Sequence, residues 1–175
     1  MARSTFISLR SGFLIGLLAC AGVFAYALYV QFHLHIEPCP LCIVQRIVFI
    51  AMGVLFLIGA AHAPRAGGRW VYVVLIDLIA LIGVGVAWRH LWLQSLPPDQ
   101  VPSCGPGLSY MLDTFPIGQT IKMVFTGSGE CAVVNWSFLG LAMPAWSLIC
   151  FVVFGAWAIL VAATSRRGDT RLAAS

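Results

Sequence analysis

The chain has 175 residues, of which 61% are hydrophobic and only 9% are charged, and its mean hydropathy is +0.95. A soluble domain usually carries about 25% charged residues, so this composition excludes an ordinary soluble globular protein. The net charge of +4 reflects basic tails and one basic connector, so it gives no reason to propose a nucleic-acid partner.

Four apolar segments account for the low charge content, at about residues 12–32, 41–61, 70–90 and 144–164. Each has about 20 residues, which at about 1.5 Å per residue crosses a hydrocarbon core of about 30 Å. Inside lipid only helices and closed barrels satisfy their backbone hydrogen bonds, and these segments show no strand-like alternation. We therefore predict an all-α membrane protein, a bundle of four transmembrane helices that forms one integral membrane domain over residues 1–175.

The basic residues indicate the orientation of the bundle, because lysine and arginine collect on the cytoplasmic side of a membrane. Seven of the ten basic residues precede the first helix, join the second to the third, or follow the fourth: Arg3, Arg10, Arg65, Arg69, Arg166, Arg167 and Arg171. The loop at 33–40 has none, and the long loop at 91–143 has only Lys122. Both termini are therefore expected in the cytoplasm, with both of these loops facing outward.

The long outer loop contains five prolines, so a continuous helix through it is not expected. Within it, residues 117–125 (IGQTIKMVF) mix apolar with polar side chains. This mixture predicts one or two amphipathic turns on the membrane surface, or equally well a turn that packs on the loop's own residues.

The second apolar segment opens with the stretch EPCPLCIVQR at residues 37–46. Proline is favoured at the first position of a helix, so Pro40 predicts Cys39 as the N-cap and Cys42 as the third helical residue. The N–H groups at a helix N-terminus stabilise a thiolate. Arg46 lies one turn deeper on the same helix face, and a charge there needs a partner such as a thiolate, a lipid phosphate or an electron acceptor. The stretch therefore predicts a stabilised leaving thiolate that faces the membrane.

Four of the six cysteines fall on the outward side: Cys39, Cys42, Cys104 and Cys131. Outside the cytoplasm paired thiols become oxidised, and four cysteines allow three pairings among which sequence does not choose. A four-thiolate zinc site is disfavoured because Cys104 and Cys131 lack a second close pair. Covalent haem attachment requires histidine directly after the second cysteine, where this chain has Ile43. Structural disulfides are the alternative to redox pairs, although a Cys-x-x-Cys ring gains little from loop closure.

Over nearly its whole length the chain resembles the DsbB family of bacterial disulfide bond formation proteins. The resemblance rests on the Cys-x-x-Cys pair that opens helix two, the arginine four residues later, and the long outer loop with two separated cysteines. Three further stretches match: Arg89-His90 ending helix three, SGEC at 128–131, and GLAMPAW at 140–146. Gln45 departs from the pattern, because some members have an acidic residue before the arginine.

The resemblance implies a thiol:quinone oxidoreductase in the bacterial inner membrane, with its redox cysteines on the periplasmic side. Cys104 and Cys131 would form the disulfide that a reduced DsbA-like thiol oxidoreductase attacks, with Cys104 taking the mixed disulfide. Cys131 would then reduce the Cys39–Cys42 disulfide through Cys39. Cys42 would deliver the electrons to ubiquinone or menaquinone held by Arg46.

Three further kinds of residue need an interpretation. His90, at the outer end of helix three, would support the quinone pocket under the resemblance, and an interfacial histidine is the alternative. Asp77 lies in the cytoplasmic half of the same helix, where we expect it to form an interhelical hydrogen bond. Cys20 and Cys150 lie inside apolar helices, where cysteine usually behaves as a small hydrophobe. No metal is expected.

Two other functions use similar features. A quinone reductase of the vitamin K epoxide type also combines a four-helix bundle with Cys-x-x-Cys, but there the pair should follow the loop cysteines rather than precede them. A non-enzymatic scaffold with disulfide-stabilised loops would give no role to the arrangement of Pro40, Cys42 and Arg46.

Overall fold

The computed structural model describes residues 8–64, 67–97, 99–101, 110, 113–127, 129–134 and 136–172. The predicted site residue Cys104 lies outside this part of the chain, as do the basic residues Arg3 and Arg65.

Four helices in the described part of the chain are long and apolar enough, by length and composition, to cross a membrane. They are α1 (Leu9–His33), α2 (Pro40–His62), α3 (Gly68–Gln94) and the span Met143–Ser165 at the start of the last helix. Each contains the apolar segment predicted for it, so the prediction of four helices long and apolar enough to span a membrane is confirmed.

The segment between α3 and the last helix is shaped by short elements. They are α4 (Ile117–Thr126), α5 (Gly129–Ala132) and an antiparallel hairpin of β1 (Ser137–Phe138) and β2 (Leu141–Ala142), after which α6 (Met143–Leu172) begins. The amphipathic turns predicted at 117–125 are thus a helix of ten residues. The hairpin has no sequence prediction, because its turn is Leu139-Gly140 rather than Asn-Gly or Asp-Gly. Both turn residues have positive φ, 51° and 77°, as a two-residue turn of type I′ requires.

Helix α3 differs from the sequence prediction at its outer end. The prediction ends it at His90, whereas the helix continues to Gln94. The extra turn fully buries Leu93, and Pro97 prevents further continuation because proline disfavours helical conformation in the residue before it. His90 therefore lies one turn inside α3, with its position fixed by helix on both sides.

Small residues let the helices of the bundle approach each other closely. A Cβ at Gly83 of α3 would lie 2.8 Å from the ring of Phe151 in α6, so that ring packs directly on the α3 backbone. Phe151 also stacks on Phe49 of α2, with ring centroids 4.2 Å apart. Close approach through glycine is how helices associate in lipid, where no hydrophobic driving force acts between them. Phe151 thus joins three of the four spans.

Hydrogen bonds at one end of the bundle establish how the helices run. Arg10 of α1 donates from Nε to the carbonyl of Ala60 in α2 at 3.1 Å, and Trp157 of α6 donates from Nε1 to the carbonyl of Gly12 at 2.9 Å. The start of α1, the end of α2 and the later part of α6 therefore lie together. The opposite end, where α2 begins and α3 ends, is called the cysteine end below.

A second, smaller apolar cluster closes the cysteine end. Its buried members come from α2, α3, α4 and α5: Leu41, Val86, Leu93, Val124 and Cys131. This cluster packs the short elements of the long loop onto the bundle, and thereby places a loop cysteine next to the start of α2.

Candidate active site

The start of α2 has the geometry that its sequence predicts. Cys39 is the N-cap, with extended φ and ψ of −66° and 164°, and Pro40 occupies the first helical turn. The backbone N–H of Ile43 donates to the carbonyl of Cys39 at 3.1 Å, which is the first intrahelical bond. Cys42 therefore lies in the first turn, where backbone N–H groups have no intrahelical acceptor and favour negative charge on nearby sulfur.

His90 of α3 lies directly against this helix start. Its Nε2 is 3.7 Å from Cys39 Sγ, and both cysteine sulfurs and a ring nitrogen of His90 all lie within 4.8 Å of one another. The imidazole is 2% exposed, so its ring nitrogens are satisfied by protein groups and not by bulk water.

Two other contacts determine which nitrogen of His90 carries the proton. Nε2 lies 3.1 Å from the backbone carbonyl of Cys131, and a carbonyl only accepts, so Nε2 is the donor. Nδ1 lies 3.3 Å from Nε2 of Gln45, whose amide N–H donates to it. A neutral imidazole has one donor and one acceptor nitrogen, and this arrangement satisfies both. The donor of His90 therefore faces Cys39 and Cys131, while Gln45 holds the ring from behind.

Cys131 is the only described cysteine of the long loop, and the structure brings it to this site. It belongs to the short helix α5, it is fully buried, and Cys39 packs against the apolar cluster that contains it. Three of the four predicted redox cysteines thus meet at one place. The fourth, Cys104, lies outside the described residues.

Arg46 follows Cys42 by one helical turn and is half-buried. Its guanidinium donates to the side-chain oxygen of Gln31, and also to the backbone carbonyl of Ala27 at 3.1 Å, so both of these partners lie on α1. The sequence reasoning considered a thiolate, a lipid phosphate or an electron acceptor as partners and missed these two neutral oxygens. Because they bind the arginine without neutralising it, its positive charge remains available to Cys42 and to the space beside it.

That space is an apolar cavity of about 440 Å³ between α1, α2 and the start of α6. Cys42, Gln45 and Arg46 form its polar side. The remaining lining is mostly apolar: Gly22, Val23, Phe24, Tyr26, Ala27, Phe49, Trp136, Phe138, Met143, Trp146, Ser147 and Cys150. Pockets for small ligands are typically about 300–1,000 Å³ and apolar with a few polar groups, as this one is.

Aromatic side chains in and next to the β1–β2 hairpin line the cavity. Trp146 donates from Nε1 to the carbonyl of Phe138 at 3.1 Å, which ties the hairpin to α6. Trp136 packs edge-on against Tyr26 of α1, with centroids 6.0 Å apart. Interfacial location alone explains such tryptophans in many membrane proteins, but Trp136 and Trp146 also line this cavity. Sequence reasoning missed this role because it depends on the unpredicted hairpin.

A second, larger cavity opens on the other side of the same residues and is called the outer cleft. It has a volume of about 1,250 Å³ and is lined by Cys39 and His90 together with Glu130 of α5. Cys42 and Arg46 line both spaces, so they form the boundary between them. His90 lines the outer cleft with Cys39 and is not among the described residues that line the apolar cavity.

The remaining singled-out residues lie elsewhere. Asp77 lies at the contact of α3 with α6, with Oδ1 2.8 Å from the position that a Cβ of Gly155 would occupy. Cys20 is buried in the main core, and Cys150 packs against that core while also lining the apolar cavity. The interpretation of Cys20 as a small hydrophobe fits its surroundings.

Comparisons with known proteins give a consistent result. The family model for disulfide bond formation protein DsbB matches residues 9–161. A disulfide bond formation protein B of Nitrosococcus oceani is 52% identical over 149 residues, which are 85% of this chain and 88% of that protein. Proteins of the same name are 51% identical in Xanthomonas oryzae, over 163 residues (93% and 95%), and in Methylococcus capsulatus, over 156 residues (89% and 95%).

Proposed function

Since this chain belongs to the DsbB family, and is therefore an oxidoreductase of disulfide bond formation, we propose that it moves electrons from a periplasmic DsbA-like dithiol protein to a membrane quinone. The observation that carries this proposal is the meeting of three cysteines and His90 at the edge of an apolar cavity. The family match selects this reaction over the vitamin K type reductase and over a non-enzymatic scaffold.

In the first step the donor protein reacts with the loop pair. A thiolate of the reduced donor attacks Cys104 of a Cys104–Cys131 disulfide, forming a mixed disulfide and releasing the Cys131 thiolate. Cys131 is fully buried, so a large protein has no access to its sulfur. Thiol exchange needs access to the sulfur that is attacked, which favours Cys104 as the point of entry.

In the second step the electrons pass to the pair at the start of α2. The Cys131 thiolate attacks Cys39 Sγ, the Cys39–Cys42 bond breaks, and Cys42 leaves as a thiolate. The donor's second thiol then resolves the mixed disulfide, and Cys104 regains its bond to Cys131 as Cys39 leaves. The balance is one donor dithiol oxidised and the pair at the start of α2 reduced. The N-terminal position of Cys42 and the charge of Arg46 stabilise the leaving thiolate.

We assign His90 to this thiol exchange and not to the quinone pocket that the resemblance implied. Its Nε2–H faces Cys39 Sγ at 3.7 Å and the backbone of Cys131 at 3.1 Å. From there it stabilises Cys39 as a leaving thiolate and holds Cys131 beside it. Gln45 keeps the ring in this orientation through Nδ1.

The residues around the apolar cavity fit a quinone ring. Arg46 offers a cation with a planar set of donors to a quinone oxygen, Cys42 presents its sulfur to the same space, and aromatic side chains line the rest. When bound, ubiquinone or menaquinone supplies an acceptor for two electrons and two protons. The cavity lies between helices, as an apolar electron carrier of the bilayer requires.

The proposed site is consistent with a multi-pass protein of the bacterial inner membrane. We propose that both termini lie in the cytoplasm and that the cysteine end faces the periplasm. Support comes from the distribution of arginines, because Arg10 and Arg69 lie near the end of the bundle opposite the cysteines.

The test is oxidation of a reduced DsbA-like protein by the purified chain, followed with and without added quinone. We expect turnover that depends on quinone and that is lost in Cys42→Ser. The matched control is Cys20→Ser, which changes a cysteine outside the site. Quinone-independent turnover, or full activity of Cys42→Ser, would contradict the proposed route.

A further inference from the structure

We propose that the reduced protein binds one divalent cation of the zinc class through Cys39 Sγ, Cys42 Sγ and His90 Nε2. The two sulfurs, at the start of α2, and a ring nitrogen of His90, in α3, already lie within 4.8 Å of one another, and Nε2 is the nitrogen that lies 3.7 Å from Cys39 Sγ. The four-thiolate zinc site considered from sequence would have needed the loop cysteines. The cluster found here uses neither loop thiol, and a separation of 48 residues between Cys42 and His90 hides it from any spacing motif.

The distances match what such a cation requires. Zinc takes thiolate sulfur at about 2.3 Å and imidazole nitrogen at about 2.0–2.1 Å in tetrahedral geometry, which puts the sulfur and nitrogen about 3.6 Å apart. Cys39 Sγ and His90 Nε2 are 3.7 Å apart. The sulfur–sulfur edge of the same tetrahedron is about 3.8 Å, and the two sulfurs lie within 4.8 Å at the start of a helix. The sulfur–nitrogen separation therefore already matches such a site, and the sulfur–sulfur separation exceeds the required one by at most about 1 Å.

The surroundings also supply the second shell that a metal-bound histidine needs. When Nε2 binds a cation, its proton moves to Nδ1, so the hydrogen bond from Nε2 to the Cys131 carbonyl is lost and Nδ1 must donate to an acceptor. Gln45 is 3% exposed and lies 3.3 Å from Nδ1, and rotation of its amide by half a turn presents its oxygen to that proton. A glutamine serves both tautomers of His90, because its amide has a donor and an acceptor.

Charge and access are compatible with the site. Binding converts two thiols to thiolates and releases their two protons, so the two negative charges balance the cation. The guanidinium of Arg46, which lines the outer cleft as well as the apolar cavity, is held by Gln31 and Ala27 on α1 and adds one positive charge near the two thiolates. The outer cleft, lined by all three ligand residues, gives entry to the cation and room for a water as the fourth ligand.

Occupancy of this site and disulfide formation exclude each other, since each sulfur either binds the cation or bonds to sulfur. The cation therefore binds only the reduced pair, holds it reduced, and acts as a reversible inhibitor of electron transfer. No redox change of the metal is involved, because zinc has no accessible second oxidation state.

Cobalt titration of the full-length protein in detergent, reduced with a phosphine and kept under argon, tests the proposal directly. One equivalent of Co²⁺ should give thiolate charge-transfer absorption with tetrahedral d–d bands, and Zn²⁺ should displace it. His90→Ala and Cys42→Ser should each weaken binding by at least about tenfold, since even loss of an outer-shell partner costs about 10–100-fold. Cys20→Ala, a cysteine buried elsewhere, should bind as wild type does.

Two further arms make the outcome decisive. Cys104→Ala, which removes one loop thiol, should retain the bound Co²⁺, whereas oxidised wild-type protein should show none. If the reduced wild type shows no stoichiometric band, or if folded His90→Ala binds with unchanged affinity, the proposal is overturned. Loss of binding in Cys104→Ala would also overturn it, by assigning the cation to the loop pair. All of these experiments measure bound metal, so their outcome is independent of the quinone-dependent activity assay.

Discussion

Replacement of Arg46 by alanine should impair quinone use far more than folding. The guanidinium is half-buried, and its two described hydrogen bonds go to neutral oxygens of Gln31 and Ala27. Its charge therefore remains available to a quinone oxygen in the apolar cavity. A hydrogen bond to a charged group contributes about 1.5–3 kcal/mol. Because the cavity edge is partly open, we take the lower value, and about 1.4 kcal/mol corresponds to a factor of ten. The expected result is about a tenfold rise in KM for quinone.

The Arg46→Lys variant should lie between alanine and wild type. Lysine retains the charge but not the planar set of donors that reaches Gln31 and Ala27 together with the cavity. Steady-state kinetics over a quinone concentration series measures the effect, because loss of uniform binding raises KM whereas loss of an interaction specific to the transition state lowers kcat. Arg89→Ala is the matched control, since Arg89 is an arginine of the cysteine end that packs on Trp92, outside the described lining of the apolar cavity.

A folded Arg46→Ala protein with unchanged KM and kcat would refute this reasoning. It would mean that the arginine only fastens α2 to α1 through its two hydrogen bonds. In that case thermal unfolding, and not quinone kinetics, would be the property that changes.

Three other outcomes are expected. Cys131→Ala should accumulate a mixed disulfide with the donor protein through Cys104, and mass spectrometry that finds the donor on an α2 cysteine would reverse the proposed order. After reduction, the two thiols at the start of α2 should react in intact spheroplasts with a thiol reagent that does not cross membranes. If these thiols reacted only in inverted vesicles and not in spheroplasts, the proposed orientation would be reversed. Gly83→Val should lower the free energy of unfolding by about 1–3 kcal/mol through overpacking, because the new Cβ would lie 2.8 Å from the ring of Phe151. Gly22→Val is the control, since a Cβ at Gly22 meets nothing within 4 Å. Equal thermal unfolding temperatures for the two variants would contradict this account of the packing.

Rules that act over a few neighbouring residues were sufficient to predict the four long apolar helices and the geometry at the start of α2. The length of an apolar run, the preference of proline for the first helical turn, and the spacing of one helical turn between Cys42 and Arg46 all act over a few residues. The structure accordingly has the N-cap at Cys39 and the predicted spans within its four long helices. The continuation of α3 from His90 to Gln94 also follows from nearby sequence, because Pro97, and not the end of the apolar segment, prevents the helix from continuing.

The β1–β2 hairpin shows where local rules were insufficient. Its strands have two residues each, and its turn lacks the usual Asn-Gly or Asp-Gly signal, although Gly140 does adopt positive φ. Contacts with α6 and α1 hold it, through Trp146 and Trp136. An element that short is stable only through such tertiary contacts, so periodicity carries little information about it.

By itself, then, the sequence determined that this protein has four helices long and apolar enough to span a membrane. It also determined that a thiol pair, with a cation one helical turn away, opens the second of these helices. Both features depend on hydrophobic length and helix geometry. Only the tertiary structure decided what surrounds that pair. Gln45, His90 and Cys131 lie on three different elements, and the contacts of His90 with Gln45, Cys131 and Cys39 arise from the packing of α3 and α5 against α2. The same packing places His90 beside Cys39 and Cys131. Such contacts join residues more than 40 positions apart, and their partners depend on how glycines and aromatic rings fit between helices, which no local pattern encodes.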